Sequence, residues 1–253
     1  MKKTIAILLA ALMAIAALTV FASCTSKTSL TITEGKLIMA TNATFPPYEY
    51  VEDGKVVGID AEIAAKIAEK LGLELEIKNV EFNTILAGVE SKTYDIGMAG
   101  ITVKEERLEK VNFTTSYAKG MQVIIVKEDS TIASADDLAD KKIGVQISTT
   151  GDIYATDDFG EDHVSQFKNG PEAVQALISG SVDAVIIDNE PAKAYVAQNA
   201  GLKILPATYA DEDYAIAVNK TNSQLLTKIN DALKELTDDG TLKSIIDKYI
   251  PAE

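Results

Sequence analysis

Two charged residues stand out by type and place. Of the 24 basic residues only Arg107 is an arginine; all the others are lysines. A surface ion pair accepts either side chain, whereas a planar, permanently charged guanidinium grips a carboxylate through two parallel N–H bonds. The choice at 107 points to bidentate anion recognition. The local alternative is an ion pair with Glu105, Glu106 or Glu109 on a short exposed helix. Asp188 closes the apolar run of residues 182–187. Strand ends in α/β sheets border ligand crevices, so this carboxylate is placed to meet a cation. The other reading is a turn residue ahead of Pro191. Phe45 and Phe82 belong to a set of only 6 phenylalanines in a chain without tryptophan; each could wall a site or fill a core.

Other chemistries are excluded by count. One cysteine, Cys24, permits neither an intramolecular disulfide nor a Cys-rich zinc site, and one histidine, His163, excludes a multi-His metal site. No Ser-His-Asp or Cys-His cluster is spaced for catalysis. His163 lies in a polar stretch and reads as solvated. A net charge of -14 with a pI near 4.6 makes nucleic acid a poor partner. No cofactor and no metal are expected.

The N-terminus reads as an address. A basic Met1-Lys2-Lys3 precedes an apolar run from residue 5 to 20, too short to span a bilayer comfortably. It has the form of a secretory signal peptide, assigned to residues 1–23. Small residues just before Cys24 resemble the lipobox of bacterial lipoproteins, which implies a lipidated mature N-terminus and membrane attachment outside the cytoplasm. Residues 24–35 form that anchor and a tether. The tether's reach is about 35 Å at roughly 3.3 Å per residue.

The elements that must carry Arg107 and Asp188 alternate. Residues 36–40, 73–77, 95–100, 121–126, 142–145, 182–187 and 214–218 read as strands. Helices are expected over 59–71, 84–89, 171–179, 191–199, 224–236 and 241–249, with shorter ones near 104–110, 134–138 and 151–155. Asp60 can cap the 59–71 helix and Gly72 can end it. Such alternation predicts an α/β chain with mainly parallel sheets, and its length suits two small lobes.

Five motifs extend this pattern: residues 42–50 (NATFPPYEY), 58–64 (GIDAEIA), 99–102 (AGIT) with Arg107, 145–152 (VQISTTGD) and 182–188 (VDAVIID). In this order and spacing the chain resembles the polar amino-acid solute-binding proteins of ABC importers, bacterial solute-binding family 3. The resemblance runs from about residue 36 to 249, with departures at Ala61 and at Ser148, often a glycine. It implies a type II periplasmic-binding-protein-like fold with a central cleft and a two-strand hinge. Lobe 1 would be discontinuous (36–120 plus 212–253), lobe 2 would be 121–211, and residues 117–121 and 211–214 would be the hinge segments.

The same resemblance assigns roles. Arg107 would hold an α-carboxylate with help from the N–H groups of Thr102 and Thr150. Asp188 would take the α-ammonium with the Gly100 carbonyl and the Thr102 hydroxyl. Phe45 and Phe82 would sandwich the side chain, with Tyr48 a weaker candidate. Asn42 and Gln146 would face its distal end; two amides there favour a neutral polar ligand such as glutamine, with cystine or arginine close behind. Glu49 and Glu81 could restore a basic preference if they turned inward. The implied partners are an amino acid and the ABC permease subunits, with the protein a monomer. Two other functions fit the resemblance: an enzyme similar to cyclohexadienyl dehydratases, or an amino-acid-sensing module.

Overall fold

Ile59, Ile63, Ile67 and Leu71 form one helical stripe, and the computed structural model, which describes residues 29–251, builds α1 (Ile59–Leu71) on it. The signal segment and Cys24 lie outside the described residues. Gly72, left-handed at φ 68°, ends α1 as its position predicts. Asp60 does not cap it. Gly58 takes that place without a side-chain bond, and Asp60 is drawn inward. There its carboxylate accepts from the Gly100 N–H at 3.1 Å and the Tyr117 hydroxyl at 2.9 Å.

Before α1, β1 (Lys36–Thr41) leads into a small antiparallel meander of β2 (Thr44–Phe45), β3 (Glu49–Glu52) and β4 (Lys55–Val57). Its strands are too short to show a period in the sequence. After α1 come β5 (Glu74–Asn79), α2 (Phe82–Glu90), β6 (Ile96–Gly97), the single turn α3 (Glu105–Leu108) and β7 (Val111–Phe113). The chain then crosses to a second sheet through β8 (Ala118–Lys127). There it forms β9 (Ile143–Gln146), α4 (Thr150–Phe159), β10 (Val164–Phe167), α5 (Gly170–Ser179) and β11 (Ala184–Asp188). It continues through α6 (Asn189–Gln198), β12 (Leu202–Ile204) and β13 (Ala210–Tyr214). It returns to the first sheet as β14 (Ala217–Asn219) and finishes with α7 (Ser223–Asp238) and α8 (Thr241–Tyr249).

The fold is α/β with two lobes. The first sheet has the order β5-β1-β6-β14-β7 and the second β10-β9-β11-β8-β12, with β13 also on β8. The β1–β5, β1–β6, β9–β10 and β9–β11 ladders are parallel, as helical crossovers require, while β14 and β8 bring in antiparallel pairings. Leu37, Met39, Ile63, Ile67, Ile229 and Leu233 fill the core under α1 and α7. Ile85, Val89, Ile101 and Val111 fill the other face of that sheet. Along β8, Val123 and Ile125 face one core while Ile124 and Val126 face another. Burial on both faces explains why this strand is apolar without alternation.

The chain passes between the sheets twice, and the two passages run side by side. β8 and β13 pair antiparallel from Gln122↔Ala210 to Ala118↔Tyr214. Three elements differ from their predicted form. The 95–100 strand shrinks to β6, because the backbone turns at Gly100 (φ 53°). The 134–138 helix is a 3-10 turn held by a Ser134–Asp137 capping box, and 214–218 splits into β13 and β14. His163 is half-buried rather than wholly solvated, with Nδ1 3.1 Å from the Lys141 carbonyl oxygen. No helix among the described residues is long and apolar enough to cross a membrane.

Candidate functional site

The carboxyl ends of β1 and β6 face those of β9 and β11 across a nearly shut cleft whose free volume is about 20 Å3, room for about one water. Each strand end delivers a lining residue. Asn42 and Phe45 follow β1, Gly100 follows β6, Gln146 ends β9 just before Thr150, and Asp188 ends β11. Phe82 opens α2 and Arg107 sits on α3, completing the wall. Of the residues expected at the site Thr102 stands behind it, bridged to Tyr214 of β13, and so does the weaker candidate Tyr48.

Arg107 is only 5% exposed. Its Nη1 donates to the Thr102 carbonyl and its Nη2 to the Ser148 carbonyl, both at 2.9 Å. Glu105, Glu106 and Glu109 do not take its hydrogen bonds, so the surface-pair alternative does not apply. The guanidinium lies 5.8 Å from the Phe82 ring centroid. Burial lowers its pKa and the nearby Glu212 charge opposes that; guanidinium keeps its proton regardless. Two donors are committed to carbonyls from opposite lobes. The others remain for an anion.

The loop before α4 is shaped for the same task. Thr149 caps the helix, accepting from the Asp152 N–H at 3.3 Å, and Asp152 accepts from the Ser148 N–H at 2.8 Å. Ser148 is left-handed (φ 64°), which turns its carbonyl onto Arg107. Thr150 opens the helix, where N–H groups and the dipole favour anions. Gln122 Nε2 donates to the Thr150 hydroxyl at 3.3 Å.

Asp188 is buried opposite. The Tyr214 hydroxyl, from the ribbon between the lobes, donates to its carboxylate. Gly120 makes room: a Cβ there would stand 2.2 Å from that hydroxyl oxygen. Burial, and then the charge of Glu212, pushes Asp188 up to about 7. A neighbouring cation would reverse that, so the site presents an acid waiting for positive charge. Gly100 is left-handed, and a Cβ would meet the Phe45 ring at 2.9 Å, so the aromatic wall closes directly on backbone.

The distal amides do not both point at free space. Gln146 Nε2 donates to Asn42 Oδ1 at 3.0 Å and to the Lys168 carbonyl at 3.2 Å. Asn42 Nδ2 donates to the Val80 carbonyl at 2.7 Å, and its Oδ1 also accepts from the Thr44 hydroxyl at 3.0 Å. The pair therefore ties one lobe to the other. Glu81 is exposed; Glu49, left open by the sequence, lines the cleft and is 1% exposed. Burial, then the charge of Asp60, pushes its carboxyl well above the ordinary range, and the two carboxyls share a hydrogen bond. Tyr48 lies behind, packed edge-on against Tyr214 at 5.1 Å. Among the described residues no group of His, Cys, Asp and Glu could hold a metal.

The chain is similar to known proteins in sequence and fold. The L-cystine-binding protein TcyJ of Escherichia coli is 31% identical over 223 residues, covering 87% of this chain and 84% of that protein. The arginine-binding extracellular protein ArtP of Bacillus subtilis is 32% identical, covering 86% of this chain and 87% of that protein. The structure of an ancestral arginine-binding protein bound to glutamine superposes with a TM-score of 0.83 at 42% identity, covering 87% of this chain and 100% of that one. Residues 37–252 match the bacterial extracellular solute-binding proteins, family 3, and the chain belongs to that family.

Proposed function

We propose that this protein captures a polar L-amino acid between its lobes and delivers it to the permease of an ABC importer. The observation that carries this reading is the opposition of charges in one closed cleft. Arg107, with donors to spare and the start of α4 beside it, complements an α-carboxylate; Asp188 complements an α-ammonium. Burying either ligand charge unpaired would cost several kcal/mol, so a site with both partners selects a zwitterion. Phe45, Phe82 and Ala99 supply apolar walls and Gly100 offers its carbonyl, while Thr102 acts from behind by holding Arg107 through its own carbonyl. The names of the relatives, binding proteins for cystine and arginine, support the substrate class. They also support a binding role over catalysis, and the cleft wall holds neither His nor Cys.

In this reading lobe 1 comprises residues 36–120 and 212–253 and lobe 2 residues 121–211, with the β8–β13 ribbon as hinge. Residues 1–23 are removed on export and Cys24 carries lipid, which holds a monomer at the outer face of the membrane. The expected tether is shorter than 24–35, because residues 29–35 dock on lobe 1 through Ile32 to Asp95 and Leu30 to Asn222. A thermal-shift screen of residues 25–253 against the common L-amino acids tests the function. A ligand at a hundred times its Kd stabilises by about 2.7 kcal/mol, an upward shift of several degrees. Arg107→Lys keeps the charge but loses the fork, and is expected to weaken binding tenfold or more by calorimetry. No shift with any amino acid overturns the proposal.

A further inference from the structure

Two bonds from the second lobe land on one stretch of the first. Gln146, ending β9, donates to Asn42 Oδ1 at 3.0 Å, and the Tyr195 hydroxyl on α6 donates to the Thr44 carbonyl. The Thr44 hydroxyl also donates to Asn42 Oδ1 at 3.0 Å, and its N–H to the Asn42 carbonyl at 2.7 Å, so both bonds hold a single tight turn. Phe45, the next residue, walls the cleft, whereas neither Thr44 nor Tyr195 lines it. The Tyr195–Thr44 bond is therefore made by the lobes themselves and not through the contents of the cleft. Tyr195 is 6% exposed, and its ring lies against Gly170 at the start of α5, where a Cβ would stand 3.0 Å from the ring edge and from the hydroxyl oxygen. Burial, then the charges of Glu49 and Asp188, push its pKa up, so the hydroxyl keeps the proton it donates.

On the reading that the cleft holds an amino acid, we propose that Tyr195 is a positioning residue that latches the closed lobes and sets how long the ligand stays, without touching it. With the lobes apart, the hydroxyl and the carbonyl each bond water. On closure they leave water together and satisfy each other. The bond thus favours the closed form by the net worth of one hydrogen bond, and its loss leaves the Thr44 carbonyl unpaired only in that form. Ligand enters the open form, so entry does not feel the bond, whereas release must break it. The other bridges do not isolate closure in this way. Arg107, Gln146 and Asn42 line the cleft, so changing them alters the surroundings of the ligand as well.

Stopped-flow kinetics of residues 25–253 with L-glutamine, L-cystine and L-arginine test this. Tyr195→Phe keeps the ring and removes the hydroxyl. It is expected to raise the dissociation rate about three- to tenfold, by the same factor for every amino acid that binds, with the association rate unchanged within about twofold. Tyr209→Phe removes a hydroxyl bonded to Asp158 inside the second lobe, and should leave both rates alone. An unchanged dissociation rate in Tyr195→Phe overturns the proposal. So does a loss of affinity that falls on the association rate, or one that differs among ligands, since those mark a structural role or a direct contact. A second measurement needs no ligand. Residues 25–253 contain no cysteine, so spin labels at Asn83→Cys and Asp157→Cys, exposed positions on opposite lobes, report the lobe separation alone. Adding Tyr195→Phe should shift the distances toward the open form, and identical distributions overturn the latch. If none of the three amino acids binds, that counts against the underlying reading, and the spin-label distances decide the latch by themselves.

Discussion

At the scale of residues, the site is a set of charges removed from water, and their titration follows. Asp188 is held near 7 by burial and by Glu212. An ammonium needs the carboxylate form, so affinity is expected to fall as pH drops through about 7, approaching tenfold per unit below it; titration calorimetry from pH 8 to 5 checks this. The ligand-free fold should move the other way. A carboxyl whose folded pKa lies above its unfolded value of 3.8 lends stability that is complete below 3.8 and is lost as pH rises through about 7. Arg107 was legible from composition, because a lone arginine among lysines has a geometric reason. Glu49 was not, since its neighbour Tyr50 is half-exposed and nothing in the local sequence says which way the β3 side chains face.

At the scale of elements, helices were read more securely than the loops that aim the site. The stripe from Ile59 to Leu71 predicts α1, yet Asp60, an obvious cap, spends its carboxylate on Gly100 and Tyr117 instead. Those partners lie 40 and 57 residues away, beyond any local rule. Ser148 makes the opposite case. Its position, often a glycine among similar chains, is left-handed here, at about 1 kcal/mol cost for a residue with a Cβ. Because its contact with Arg107 is made by backbone, Ser148→Gly is expected to keep the carbonyl in place and raise stability by up to about 1 kcal/mol, read from urea unfolding. A loss of affinity or stability would show that the hydroxyl matters.

At the scale of the whole molecule, capture is a matter of two lobes and a cleft that bonds can bridge. Arg107 to Ser148, Gln146 to Asn42 and the Tyr195 hydroxyl to the Thr44 carbonyl all cross it. The ribbon of β8 and β13 is the covalent route between the sheets, so closure by a hinge needs to bend only a few residues. The proposed membrane attachment belongs to the other end of the chain. Residues 29–35 add no reach to it, because they are held on the first lobe, where the Ile32 N–H donates to Asp95 and the Leu30 carbonyl accepts from Asn222. Cys24→Ala is expected to move the protein from the membrane to the soluble fraction after signal cleavage, measured by fractionation and immunoblot; retention in the membrane would refute lipid attachment.

The sequence by itself determined the alternating elements, singled out the lone arginine and the acidic strand end, and raised the expectation of a leader ending at Cys24. These depend on periodicity, composition and spacing, which are local and survive without a fold. Only the tertiary structure decided that Asn42 and Gln146 spend their amides on each other and on backbone, that Asp60 serves the cleft floor, and that Glu49 faces the cavity rather than water. The reason is satisfaction of buried polar groups. Which donor is left for a ligand depends on every partner within 3 Å or so, and those partners come from strands a hundred residues apart.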